Sequence, residues 1–372
     1  MLDRFVGGLL HPLIHAGHGA EFNVDGMLAE GLALAAVTNS NTKELYPPDF
    51  FEFDTLGATP TSAMSAGSSM VSRLANLALG GSNTPSTPAA AATDSSKFTS
   101  ALSILNAISS DPSLAAGQVC DRDSDTKFSE TLRKKGAYIR EKYTSKFTVG
   151  AGKEGVNKAL EEAIWTAVII YGLGGYRPGK DFRSDFFTLH CVTSVFFLPF
   201  LITQLEHNHV AQSALVRAHF SITPAFYISR GRPALPIKAF FEPSLPEEIH
   251  QLISKYLLSV SPNESALGQK LKVTEGSHPI TPIGNPFPAV ILSSLHHPEE
   301  HLIKVNRALA DFDERYGTRP KGYWNVEGWE DMDGTLFRRV ALRTMKALGW
   351  VREGDAPGKF ERDGLGWDEL WD

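Results

Sequence analysis

The stretch FFTLHCVTSVFFLPFLIT, residues 186–203, decides the fold, because it is the only run long and apolar enough to raise the question of a membrane. Its length is about the minimum that spans a lipid bilayer. It also contains His190, several hydroxyl side chains and Pro199, and no run of positive charge flanks it. These features favour a buried helix of a folded domain over a membrane span. We predict a helix over about Asp181–Leu205, central in the core.

Helical periodicity continues on both sides of this segment. Between Lys153 and Tyr171, apolar residues recur at helical spacing and so share one face. The glycines Gly172, Gly174 and Gly175 are predicted to end that helix. Further helices are predicted over Lys97–Ser109, Lys127–Tyr143, Val210–Ser229, Pro246–Val260, Pro298–Arg315 and Gly334–Leu348.

The beginning of the chain, to about Val37, also has a helical pattern, with one apolar face formed by Leu28, Leu32, Ala35 and Ala36. Period-two runs are scarce, and Ala289–Leu292 is the best candidate for a short strand. We therefore predict an all-α fold, a single irregular helical bundle over residues 1–372.

Residues 57–96 interrupt this pattern with Gly, Ser, Thr, Pro and Ala, as in GGSNTPSTPAAAATDSS. Such a composition buries too little apolar surface to offset the entropy of ordering, so we predict a disordered insertion. A linker between two domains is the alternative. The C-terminal part is rich in tryptophan, which we expect to pin it to the body of the protein: Trp324, Trp329, Trp350, Trp367 and Trp371.

Composition excludes several classes of function. The net charge is −6 and the sequence has no Lys/Arg block, which argues against nucleic-acid binding. Cys120 and Cys191 form neither a CxxC pair nor a disulfide framework, and they fit a reducing, cytoplasmic compartment. No signal peptide is recognisable. GxGxxG after a strand, the P-loop, GxSxG and HExxH are all absent, so the usual dinucleotide and hydrolase motifs give no support.

Histidines carry the chemical signal. His11 and His15 lie four apart in HPLIH, so they share one helix face and could converge on a metal ion. Pro12 suits the first turn of a helix that has His11 at its cap. His190 lies on the most apolar helix, where burial would keep its imidazole neutral, as a metal ligand must be. Each of these histidines could equally be a packing residue of the core.

The spacing HPxxH recurs at His297–His301, with Pro298 predicted as the first helical residue. His301 and Lys304 share a face. Lys304 is either an ordinary surface side chain or a desolvated, neutral amine that is available for chemistry or for carbamylation.

Two other polar groups are less specific. His207 and His209 lie two apart, so they point in different directions, and a capping or surface role is favoured over ligation. Arg230 and Arg232 could hold an anion or simply end a helix in solvent.

Four segments together resemble the questin oxidase-like family: GGLLHPLIHAGHGAEF at 7–22, DFFTLHCVTSVFFLP at 185–199, YISRGRP at 227–233 and HLIKVNRAL at 301–309. The resemblance implies a largely helical fungal oxidoreductase that cleaves or inserts oxygen into aromatic polyketides of the anthraquinone type. Members of that family have been described as NADPH-dependent Baeyer–Villiger-type oxidases. The resemblance places His11, His15, His190 and Lys304 at distinctive family positions, with His301 a further candidate.

From the histidine pattern we expect an oxygenase with a non-haem Fe(II) site, since imidazole and oxygen ligands with open positions suit iron and O2. His11, His15, His190 and Lys304 would be the ligands, and Lys304 and His301 the catalytic groups. Phe186, Phe187, Phe196 and Phe197 could line an aromatic pocket. The alternatives are a metal-free, NADPH-dependent oxidase and a non-catalytic helical binding protein.

One departure from the family pattern bears on this expectation. Family members normally have a longer N-terminal region with a histidine-rich helix of the kind HNHxxHH, whereas this sequence starts just before HPLIH. The resemblance therefore implies a site short of one ligand and part of its wall.

Overall fold

The protein is built from α-helices. The computed structural model describes residues 2–40, 42–47, 50, 99–206, 208–245 and 285–372. Of these, 62% are helical, and their β-structure amounts to two isolated bridges, so the predicted all-α fold is confirmed. The helices are α1 Leu2–Phe5, α2 His11–Phe22, α3 Asp25–Val37, α4 Ala101–Ser109, α5 Lys127–Lys142, α6 Gly152–Gly174, α7 Phe186–Val195, α8 Leu198–Gln204, α9 His209–Ser229, α10 Ile237–Phe241, α11 Phe287–Ser294, α12 Glu300–Tyr316 and α13 Leu336–Leu348. The predicted insertion at 57–96 and the predicted helix at Pro246–Val260 lie outside the described residues.

Helices α6, α7 and α9 form the centre of the core. Every residue of α6 from Ala159 to Gly174 is buried, and so is every residue of α9 from Ala214 to Ser229. Helix α7 packs against both, and α4 and α13 cover α6 on other sides. Helices that are apolar all round belong in such a position.

The predicted single helix over Asp181–Leu205 is in fact two helices. The Asp185 side chain accepts hydrogen bonds from the backbone N–H groups of Phe187 and Thr188, so α7 begins only at Phe186. Pro199 has no N–H to donate to the carbonyl of Val195, which is where α7 ends. Residues 186–204 pass a length and hydropathy test for a membrane span, but 72% of that window is buried inside the protein, as predicted for a core segment.

The helical hairpin α2–α3 has its closest contact at a glycine, which changes part of the predicted apolar face. A Cβ atom on Gly31 would lie 2.3 Å from the backbone nitrogen of Ala16, so the two helices touch backbone to backbone. Ala35 is buried, whereas Leu32 is 47% exposed and Ala36 is exposed. The predicted face is therefore correct for Leu28, which packs against the core, and for Ala35, and wrong for Leu32 and Ala36, because close approach at Gly31 shifts the packing face.

Three further local predictions differ from the structure at particular residues. Ala289–Leu292 lies inside α11, at whose start the Phe287 N–H donates to Asn285 Oδ1, so it is not a strand. Pro298 precedes α12, because Glu299 is the N-cap and accepts from the His301 N–H. The predicted glycine stop is correct at Gly174, where α6 ends with Gly175 as its C-cap, but not at Gly172. A Cβ on Gly172 would lie 2.2 Å from Val340, so this glycine lets α13 approach.

The C-terminal segment is tied to the body of the protein, as predicted. Trp324, Trp329, Trp350, Trp367 and Trp371 are all buried. Backbone hydrogen bonds join the segment to the start of α7: Phe186 N–H donates to Glu361 O at 2.8 Å, and Glu361 N–H donates to Ser184 O at 2.8 Å. This attachment brings residues 360–362 beside the histidine-bearing end of α7.

Candidate active site

His190 lies at the bottom of the candidate site, on the second turn of α7. Its Nδ1 lies 2.7 Å from the backbone oxygen of Phe186, which can only accept, so Nδ1 carries the proton and Nε2 bears a lone pair. The side chain is buried, and Nε2 has no hydrogen-bond partner among the described residues. Burial lowers the pKa of His190 to about 3, so the imidazole is neutral near pH 7.

His11 lies beside His190 at the exposed edge of the site. Their ring centroids are 5.3 Å apart. Left-handed backbone at Leu9 and Leu10, followed by Pro12 in the first turn, starts α2 so that His11 is presented toward α7. Partial burial lowers the pKa of His11, and unfavourable electrostatic interactions with the neighbouring His15, His301 and Lys304 side chains lower it further.

His301 lies on the other side of His190, with ring centroids 5.2 Å apart. Its Nδ1 lies 2.7 Å from Glu299 Oε1, so the carboxylate fixes the proton on Nδ1 and leaves Nε2 as an acceptor. Burial alone would raise the pKa of Glu299, but hydrogen bonds from His301 bring it below its usual value. Glu299 thus both caps α12 and orients an imidazole.

His15 and Lys304 lie at the rim. The His15 ring is 6.5 Å from that of His11, and its Nδ1 lies 3.3 Å from Glu30 Oε1. Lys304 Nζ lies 3.5 Å from Glu300 Oε1, and its side chain is 43% exposed. The alternative of a desolvated Lys304 is therefore wrong, because the amine is open to water and beside a carboxylate.

The imidazoles of His11, His190 and His301 suit a metal ion chemically, although their nitrogen atoms are not placed around a single point. Two imidazoles bound to one ion at about 2.1 Å place their ring centroids roughly 5 Å apart, close to the spacing of His190 from His11 and His301. His190 Nε2 is buried and unpartnered among the described residues, and a carbonyl holds Nδ1, as is usual for a metal-bound histidine. No group of three or more His, Cys, Asp or Glu in the described part of the chain is already placed around one ion.

Of the four phenylalanines predicted to line a pocket, Phe186 lies in the histidine cluster. Its ring centroid is 4.9 Å from that of His190 and 5.0 Å from that of His301. Phe187 packs against Phe186 and under Arg230. Phe196 and Phe197 instead pack against each other, one turn or more away along the chain.

The other polar candidates have structural roles. Arg230 is buried, and its Nε donates to Asp185 Oδ2 at 2.9 Å, so it is neither a solvated helix end nor a free anion site. His209 is exposed and contacts Gln212, which confirms a surface role. His207 lies outside the described residues.

Three residues beside the cluster were not found from the sequence: Glu299, Phe360 and Arg362. Phe360 lies 6.5 Å from His301 between ring centroids, and the Arg362 guanidinium lies 3.6 Å from the centre of the Phe186 ring. Their place depends on the path of the C-terminal segment, for which no sequence pattern gives a signal.

Comparison with known proteins identifies the family of the chain. No curated protein matches the chain significantly. A family profile described as questin oxidase-like matches residues 1–309, which include every predicted site histidine and Lys304. A match over most of the sequence shows the family: the chain belongs to the questin oxidase-like family.

Proposed function

We propose that this protein is an oxygenase that cleaves the ring of, or inserts oxygen into, an aromatic polyketide of the anthraquinone type, using O2 and a non-haem Fe(II) site. Family membership supports the coarser statement, an oxidoreductase that acts on a secondary metabolite. The proposed reaction and metal site are supported by the state of His190. Its imidazole is neutral and oriented, its Nε2 has no partner among the described residues, and two more imidazoles lie about 5 Å away between ring centroids.

His11 and His190 are common to every ligand set that we consider. His301, with its ring centroid 5.2 Å from that of His190, and His15 are the further histidine candidates. Lys304 belongs to the set predicted from the family pattern, but its exposed amine beside Glu300 leaves it outside the ligand set that we propose. Bound iron would supply the redox chemistry that lets O2 react with an electron-rich ring.

The protein's own groups supply orientation and proton transfer. Glu299 holds the proton on His301 Nδ1, so that His301 Nε2 can accept the proton of a substrate phenol. The exposed Lys304 lies at the rim, where an ammonium group would attract the resulting phenolate. Phe186 offers an aromatic edge beside both imidazoles, against which a planar substrate can pack.

Metal analysis of the purified protein after anaerobic reconstitution with Fe(II) tests the site. We expect about one iron per chain in the wild type, and loss of that iron in His11→Ala and His190→Ala, because both remove a ligand. His209→Ala is the matched control, since this histidine is exposed and distant in sequence from the cluster. Comparison of His15→Ala with His301→Ala decides which of the two belongs to the ligand set.

Two outcomes would contradict the proposal. Full iron content in the His190→Ala variant would show that the ligand assignment is wrong. No iron in the wild type, together with NADPH consumption that depends on an anthraquinone substrate, would favour the metal-free NADPH-dependent oxidase instead.

A further inference from the structure

The C-terminal segment places one exposed cation beside the histidine cluster. The Arg362 guanidinium stacks over Phe186 at 3.6 Å, and Phe186 in turn contacts both His190 and His301. Arg362 also lies near enough to Glu299 to lower the pKa of that carboxyl. The ring of Phe186 therefore lies between this arginine and the histidines of the proposed reaction centre.

The backbone around Arg362 is firmly held, which makes its position a built feature. Phe186 and Ser184 exchange backbone hydrogen bonds with Glu361, each at 2.8 Å. The backbone oxygen of Arg362 accepts from the buried Arg230, which is itself paired with Asp185. The side chain, in contrast, is exposed to solvent. A fixed backbone with an exposed guanidinium is an arrangement suited to ligand binding.

The guanidinium has unused binding capacity. Among the residues that the structure describes, Arg362 forms no ion pair, and the Oε1 atom of nearby Glu299 already accepts twice from His301. Stacking on a ring uses the face of the guanidinium and leaves its N–H donors pointing outward in the plane. Those donors match a planar oxyanion, which they can bind with two parallel hydrogen bonds.

We infer that Arg362 is a substrate-positioning residue, which binds an anionic oxygen, a carboxylate or phenolate, of the aromatic substrate while that substrate's ring packs against Phe186. This inference rests on the proposed function, because it assigns a charge to the substrate of the same site. Phe360 is buried, and its ring centroid lies 6.5 Å from that of His301, so it forms a second aromatic wall of the site.

Binding of two probes tests this assignment: anthraquinone-2-carboxylate, which is anionic, and 2-(hydroxymethyl)anthraquinone, which is neutral. Titration calorimetry with the full chain measures the affinity of both. We expect Arg362→Gln to weaken binding of the carboxylate by about tenfold, in the range for loss of a charged hydrogen bond. Binding of the neutral probe should change less than about twofold. Arg362→Lys should be intermediate, since it keeps the charge but loses the planar pair of donors.

Lys359→Gln is the matched control, because it removes one exposed positive charge three residues away in the same segment. Equal weakening of both probes, or the same loss in Lys359→Gln as in Arg362→Gln, would overturn the assignment of Arg362. Tight binding of both probes with no effect of Arg362→Gln would do the same, while leaving the proposed function standing. Failure of the wild type to bind either probe would overturn the proposed function and this inference together.

Discussion

His219 should make the stability of this protein depend on pH. It is fully buried in α9, and its Nε2 lies 2.8 Å from Ser194 Oγ. The Ser194 hydroxyl donates to the backbone oxygen of Cys191, so its oxygen accepts from His219 Nε2–H. His219 Nδ1 is therefore unprotonated, and it has no hydrogen-bond partner among the described residues. Burial lowers the pKa of His219 from 6.5 to about 3. The folded protein therefore holds this histidine neutral, whereas the unfolded chain protonates it below about pH 6.5.

The sign and size of the effect follow from this difference. Below pH 6.5 the unfolded state binds one proton more than the folded state at this site, so the free energy of unfolding falls as pH falls, until the pKa of about 3 is reached. Each pH unit costs about 1.4 kcal/mol, which gives about 2 kcal/mol between pH 7 and pH 5. That is a large share of the ~5–15 kcal/mol that stabilises a typical domain.

Urea unfolding at about pH 7 and pH 5 measures this contribution, with His219→Gln as the comparison. Glutamine can still donate an N–H to Ser194, but it does not titrate. The wild type should lose about 2 kcal/mol more than the variant over this interval, because all other titrating groups are common to both proteins. Equal losses in the two proteins would refute the reasoning and would mean that His219 is not desolvated.

Two packing predictions use matched pairs within the same region and are read by urea unfolding. Gly31→Ala should destabilise the protein by about 1–3 kcal/mol, because the new Cβ meets backbone of α2, whereas Gly26→Ala, with open space around it, should be neutral or stabilising by up to about 1 kcal/mol. Asp185→Ala should cost about 3–5 kcal/mol, because it leaves the buried Arg230 unpaired; Asp181→Ala, 95% exposed, should cost less than about 1 kcal/mol. Similar losses within either pair would contradict the corresponding prediction.

The helices could be predicted where apolar periodicity and burial agree. Helix α5 begins at Lys127 and α9 begins at His209, each at or within one residue of its predicted start. Prediction failed where a contact distant in sequence decided the geometry. The α3 face is selected by Gly31 against Ala16, and Gly172 continues α6 because α13 packs on it. Neither contact leaves a local pattern.

In the candidate site, too, local sequence patterns predicted some residues, and contacts distant in sequence decided the others. His11 and His190 were predicted from local spacing and burial, and the structure brings them to 5.3 Å between ring centroids. The pairing of Glu299 with His301 was missed because it depends on Pro298 lying outside α12. Arg362 reaches the site only because the C-terminal segment pairs with the start of α7.

Burial serves His190 in two ways at once. Desolvation keeps its imidazole neutral at any pH well above about 3, so Nε2 is not lost to a proton under physiological conditions. The same burial fixes the ring, because its single N–H, at Nδ1, donates to the backbone oxygen of Phe186. The surrounding groups His11 and Lys304 lie toward solvent, and Arg362 is exposed on the far side of Phe186. If His190 holds the metal as proposed, its neutral imidazole in the core, bordered by the exposed cations Lys304 and Arg362, would suit a substrate that combines an uncharged ring with an anionic oxygen.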